Sequence, residues 1–386
     1  MKAICAFVFA TLTVSLASAQ SVTRCGGPNT ALNINWPTFQ FDVCRTGYNP
    51  YETQLNTGNV NRLALAWQST IGRVYGFALA NNVLYAGSQN GNLYALNAVT
   101  GTLIWSYATG GPISGTPAVA NGVVYIGSYD KNIYALNAYT GTLLWKYTTQ
   151  GHVTGAPAVA NGAVYLGSGD GYMYALNASD GAPLWQYSTT VDVSTATVVN
   201  GIVYFAAGGS IHAVNAGTGK LVWAYHNARS TAAPTVTNGV VYSAAGYLYA
   251  IDALTGILLW SRQDLPVGMV ACAVANGVLY VGASNRTYLP SVYAFNGKDG
   301  TLLWQSHDDY QYSFDLIVAN GVLYFASSDP NGTPLVTALD SSNGYIVGQL
   351  RPFDGQGGLL VANGFLYSTW ADSQDQAGVK AYHLPN

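Results

Sequence analysis

The chain repeats one pattern of apolar and polar positions at a period of about 40 residues, a length expected of a propeller blade. The fullest copy, Val123 to Gly162, reads VVYIGSYDKNIYALNAYTGTLLWKYTTQGHVTGAPAVANG, and sister copies begin at Val83, Ala163, Ile202, Val240, Val278, Val322 and Phe365. Each has tyrosine at its third position: Tyr85, Tyr125, Tyr165, Tyr204, Tyr242, Tyr280, Tyr324 and Tyr367. Within a copy the pattern predicts four strands: A (Pro117 to Ala120), B (Val123 to Gly127), C (Asn132 to Leu136) and D (Leu143 to Tyr147).

Asn-Gly stands between A and B, as at Asn121-Gly122, Asn161-Gly162, Asn200-Gly201 and Asn363-Gly364. That pair favours a type I′ hairpin turn, which needs positive φ at both central residues. Between C and D stands Asn-Ala-x-Thr-Gly, as at Asn97 to Gly101, where a short polar side chain holds the turn and glycine takes the left-handed position. Strand B is almost continuously apolar, so both faces of its sheet are covered. Blades packed around an axis satisfy that demand; a stacked solenoid would also bury repeat against repeat. The expected fold is all-β, an eight-bladed β-propeller of four-stranded antiparallel blades.

The last copy has A, B and C strands, with C near Val379 to Tyr382, and no D strand after it. Leu63 to Thr70, containing Trp67, reads as a D strand without partners before it. Pairing the two closes the ring and hides the sheet edges. Residues 63–386 then form the propeller, and 20–62 a lead-in. Residues 1–19 carry Lys2, an apolar run from Ala3 to Leu16 and Ala17-Ser18-Ala19, the form of a cleavable signal peptide. No cysteine stands just after that site, which argues against a lipid anchor, and no other apolar run approaches membrane-spanning length. A secreted or periplasmic protein that does not span a membrane is expected.

Only 8% of residues are charged and 13% are aromatic, a mixture suited to many short, deeply buried strands and opposed to disorder. The net charge of −3 offers no broad basic surface for nucleic acid. Cys25 and Cys44 lie close together in the lead-in and are expected to pair in an oxidising compartment, two reduced thiols being the alternative. Cys272 sits where sister repeats carry Pro117, Pro157 and Ala196, and reads as a small buried filler.

The C-to-D stretch contains Ala-x-Asn/Asp-x-x-x-Gly-x-x-x-Trp, as at Ala95, Asn97, Gly101 and Trp105, and at Ala250, Asp252, Gly256 and Trp260. This resembles the tryptophan-docking motif of the PQQ-like (quinoprotein) repeat family. The resemblance implies that Trp105, Trp145, Trp185, Trp223, Trp260 and Trp304, together with Trp67 of the N-terminal D strand, wedge between adjacent blades. The seventh copy departs from it, with Gly348 in the tryptophan position. The family's enzymes hold PQQ over calcium with acidic and amide ligands, a catalytic aspartate and often a disulfide between adjacent cysteines. Here the one glutamate, Glu52, precedes the repeats and no two cysteines are adjacent. No cofactor is therefore expected, and PQQ with calcium is disfavoured. A non-enzymatic branch, that of the outer-membrane barrel-assembly scaffold, is similar in fold and size.

Other chemistry finds little support. His152, His212, His226, His307 and His383 fall in different copies without ligand spacing, and His212 replaces a strand-C tyrosine. Asp308-Asp309, with Asp315 nearby, lacks the alternating oxygen ligands of a calcium loop. Departures from the repeat at one equivalent place are better candidates. Eight or nine residues before each A–B turn asparagine, in the D–A loop, stand Arg73, His152, Asp192, Arg229, Gln311 and Asp354. They are expected to ring the channel mouth on the face shared by the variable B–C and D–A loops, where binding residues commonly lie; solvated loop charges are the bland alternative. B–C loops are longer at Ser284 to Ser291, Ser327 to Pro334 and Ala371 to Gly378.

The expected function is that of a non-catalytic, monomeric binding module for a protein or cell-surface polymer. An atypical or degenerate PQQ-dependent dehydrogenase, and a carbohydrate binder using Tyr310 and Tyr312, are the alternatives.

Overall fold

The computed structural model describes residues 38, 40–42, 44–226, 233–245, 247–264, 269–283, 292–306, 311–328, 331, 333–351, 358–372 and 376–385. Their strands form eight sheets, each an antiparallel blade with strand A innermost and D outermost. In blade 2 these strands are Ala118–Ala120, Val123–Gly127, Asn132–Asn137 and Leu143–Thr148. The A–B turns follow from residue chemistry: Asn121 and Gly122 have φ of 51° and 75°, the mirror-image turn that glycine and asparagine tolerate. Blade 1 makes the same turn with Asn81 and Asn82, at φ of 50° and 60° and without glycine.

Blade 8 is composite. Leu359–Ala362, Phe365–Ala371 and Ala377–His383 supply its A, B and C strands, and Ala64–Thr70 supplies D. Ser69 pairs with Val379 and Trp67 with Ala381. The ring is closed, which a stacked solenoid is not. Blade 7 departs from the four-stranded expectation: Tyr48–Asn49 adds a parallel strand along Val318 and Ala319 of its inner strand.

Repeated side-chain bridges join the blades. Trp105 Nε1 and Tyr85 Oη, both in blade 1, donate to the same carbonyl, Ala138 O of blade 2, at 2.9 and 3.1 Å. Trp67 and Tyr367 of blade 8 do likewise to Ala98 O of blade 1, at 3.0 and 3.2 Å. Each indole also lies on the C–D glycine of the next blade. A Cβ on Gly141 (φ 71°) would stand 2.7 Å from the Trp105 ring, so the turn needs glycine for both its backbone and its lack of side chain. A β-bulge directly before each tryptophan, as between Leu143 and Trp145, bends the exposed outer strand.

Candidate functional site at the propeller axis

The lead-in fills part of the central channel. Asp42 folds its turn by accepting from Thr46 N and Thr46 Oγ1, at 3.2 and 3.1 Å. Gly47 (φ 62°) lets the strap press against blade 7, where a Cβ would lie 2.7 Å from Leu316 O. Inner-strand amides then donate to the strap: Val236 to Cys44 O, Val274 to Thr46 O and Val318 to Gly47 O, at 3.0, 2.8 and 2.8 Å. Arg45, fully buried, donates from Nε to Ala196 O at 2.7 Å and from Nη2 to Ala156 O at 3.3 Å. Thr38 Oγ1 reaches Pro157 O, and Asn49 Nδ2 reaches Val361 O. The strap thus touches inner edges of blades 3 to 8. Burial pulls the Arg45 guanidinium down to about 9 while Asp42 opposes the shift, so the group remains charged at neutral pH.

Strand register identifies eight equivalent positions around the axis, each two residues before the inner-strand residue opposite the repeat tyrosine. They are Gly76, Thr116, Ala156, Thr195, Ala233, Ala271, Asp315 and Gly358. Seven are small and uncharged; one is an acid. The strap covers this ring at blades 3 and 4. On the other side Gly76, Thr116, Asp315 and Gly358 wall a cavity of about 10 Å³, completed by Gln40, Phe77, Leu316, Ile317 and Leu359. That is room for one water-sized group.

Asp315 holds a left-handed conformation (φ 48°), and its Oδ2 accepts the Leu359 N–H at 3.3 Å. The residue is half-buried and lines the cavity. Burial pushes its carboxyl up to about 6, the Leu359 bond opposing. Sequence reasoning met Asp315 only as a neighbour of Asp308-Asp309. The signal that singles it out is its place in the ring of small residues.

Three of the six expected channel-mouth residues can be placed with their side chains. Arg73, His152 and Asp192 are exposed, and among the described residues no hydrogen bond or ion pair joins them. His152 stacks on Tyr129, with ring centroids 5.2 Å apart and planes 8° from parallel, and its ring also lies over Gly169. It is a packing element between the B–C loops of blades 2 and 3. Gln311 belongs to inner strand A of blade 7, its side chain outside the described residues, where Arg229 and Asp354 also fall. Tyr310 and the side chain of Tyr312 lie outside them too, as do residues 1–19, Cys25 and, with it, the expected partner of Cys44.

Other reactive groups are engaged in packing. Burial raises Asp130, but donation from Tyr134 Oη (2.5 Å), Asn132 N and Gly110 N outweighs it and holds the carboxylate below its ordinary range. This carboxylate ties the D–A loop after blade 1 to the B–C loop of blade 2. His212 stacks on Phe205 at 5.4 Å, and burial lowers its pKa. Burial pushes the Cys272 thiol up to about 11, the inert end of cysteine chemistry. Among the described residues no three His, Cys, Asp or Glu side chains gather as a metal site, and no helix is long and apolar enough to cross a membrane.

Comparisons with known proteins agree with this architecture. BamB from Moraxella catarrhalis superposes with a TM-score of 0.69 at 21% identity, over 83% of this chain and 99% of that one. Quinohemoprotein alcohol dehydrogenase from Comamonas testosteroni superposes with a TM-score of 0.74 at 16% identity, over 90% and 80%. At such identities the likeness shows the fold alone. In sequence, the Comamonas testosteroni enzyme is 30% identical over 110 residues, covering 26% of this chain and 15% of the enzyme's length. The family model described as outer membrane protein assembly factor BamB matches residues 58–208 and again 207–351. The chain therefore belongs to that family of PQQ-like repeat propellers.

Proposed function

We propose that this protein is a non-catalytic scaffold of the cell envelope, secreted or periplasmic, which acts as a monomer and binds a protein through its B–C and D–A loop face. The supporting observation is the strap between Thr38 and Asn49, which bonds to the inner strands of blades 3 to 8 and so occupies part of the channel. The face then presents breadth rather than depth, which suits a macromolecular partner. Membership of the assembly-factor family supports a partner in outer-membrane protein assembly.

The test is capture of envelope proteins by the immobilised chain. Exchanging the exposed Arg73 and Asp192 together should weaken capture several-fold and leave the melting temperature unchanged. Undiminished capture would remove this face as the docking surface. Saturable binding of PQQ with calcium, followed by alcohol oxidation, would restore the dehydrogenase reading.

A further inference from the structure

We infer that the sector of the axial channel walled by blades 7, 8, 1 and 2 is a receptor for one primary ammonium group, carried by a lysine side chain or a chain N-terminus, with Asp315 as its counter-ion. This deepens the docking reading above, since the ring lies toward the D–A loop end of the inner strands and faces the same partner.

Four observations converge. First, the propeller already seats a cation in this ring: Arg45 donates to Ala196 O and Ala156 O at blades 3 and 4. The channel wall is therefore a surface on which a positive group finds acceptors. Second, the sector across the axis holds the one acid among eight equivalent positions, and the described lining residues bring no second charge. Third, the wall is drawn in tightly where its residues lack side chains. A Cβ on Gly358 would stand 2.9 Å from Gly76 Cα and from Tyr75 O, and a Cβ on Gly76 would collide with Thr116. Small residues keep the space at the size of a single heavy atom with its protons, which fits an ammonium better than a planar guanidinium. Fourth, the Asp315 carboxylate has one backbone donor, at 3.3 Å, which leaves acceptor capacity for a donor entering the cavity.

Burial is what displaces the Asp315 pKa upward; an arriving ammonium would pull it back down. In a confined site a charge-assisted bond of this kind is stronger than its solvent-exposed counterpart.

The experiment is a titration of the whole protein with methylammonium chloride, following the Leu359 and Gly358 amide resonances. Parallel titrations use methylguanidinium chloride and calcium chloride, with sodium chloride matching ionic strength. Saturable shifts with methylammonium, at least tenfold weaker in Asp315→Asn, are expected. Asparagine tolerates the left-handed backbone and can still accept from Leu359, so this variant should keep its fold. A thermal melt of the variant checks that point, and Asp315→Ser serves if it fails. Absence of saturation, an equal response in the variant, or a response to calcium alone overturns the inference. Because the probe needs no protein partner, a failed titration beside intact envelope capture removes the ammonium site and leaves the docking face standing.

Discussion

Val60 stands where an eighth docking indole belongs, its Cγ1 3.2 Å from the point at which a Cβ on Gly348 would project. Gly348 pairs with Ala338 as Trp105 pairs with Ala95, so the two sites are equivalent. The short turn Val60–Arg62 and the buried Leu55 fill the joint between blades 7 and 8. Glu52 fastens them, its Oε2 accepting the Gly364 N–H at 3.1 Å, while Asn320 Nδ2 donates to Leu55 O at 3.0 Å. The missing tryptophan is thus a substitution of one wedge by another, drawn from outside the repeats.

Leu55→Ala should cost about 2–5 kcal/mol, the usual range for truncating a buried leucine. Gly348→Trp should also destabilise, although it restores the repeat pattern, because Val60 and Asn61 already occupy the space. Urea denaturation of both variants checks the pair. A Gly348→Trp protein as stable as the parent would refute the wedge.

Trp105→Ala should cost about 3–5 kcal/mol through the cavity it leaves. Gly141→Ala should destabilise the same joint without removing a contact, since the added methyl meets the indole and φ is 71°. Thermal melts of the two single variants and the double variant will show coupling, because both act on one interface.

Tyrosine-to-phenylalanine changes should differ between blades. In blade 1, Tyr85→Phe loses the bond to Ala138 O and should cost about 0.5–1.5 kcal/mol. In blade 7 the fully buried Tyr324 hydroxyl has no partner among the described residues. Tyr324→Phe removes an unsatisfied polar group and should be neutral or stabilising. Equal losses at the two sites would contradict this assignment.

Asp315 makes stability depend on pH in an unusual direction. Its folded pKa of about 6 lies above the ordinary carboxylate value, so between the two the folded chain holds a proton that the unfolded chain has released. Stability from this group is therefore present at low pH and falls as pH rises through that window. Asp315→Asn should melt higher than the parent at pH 7 and above, with the gap closing toward pH 4. A gap independent of pH would show that this carboxyl titrates normally in the folded state.

Much of this architecture is legible in the repeat. Asn-Gly at the A–B turns, tyrosine at the third strand-B position and glycine before each tryptophan state their own backbone and packing needs, and the composite blade follows from one unmatched D strand. The strap is not legible, because Cys44, Thr46 and Gly47 bind blades through their carbonyls, and a backbone acceptor leaves no mark on side-chain pattern. Arg45 looks like an ordinary loop cation until its burial is seen. The repeat assigns Arg73, His152 and Asp192 to loops of one face, but side-chain pattern does not tell loop residues that share a face from residues that touch. Asp315 is legible too: it lies five residues before the turn asparagine Asn320, where the other copies have only glycine, threonine or alanine.

Blade 8 joins segments from opposite ends of the sequence: Trp370 Nε1 donates to Ser69 O across 301 residues. A chain emerging from its N-terminal side must therefore carry Ala64–Thr70 as an unpaired edge until the final three strands arrive. Such distant pairing slows folding and leaves sticky backbone open to neighbouring molecules meanwhile. Chaperone dependence during biogenesis should accordingly track the time to ring closure rather than the stability of any single blade.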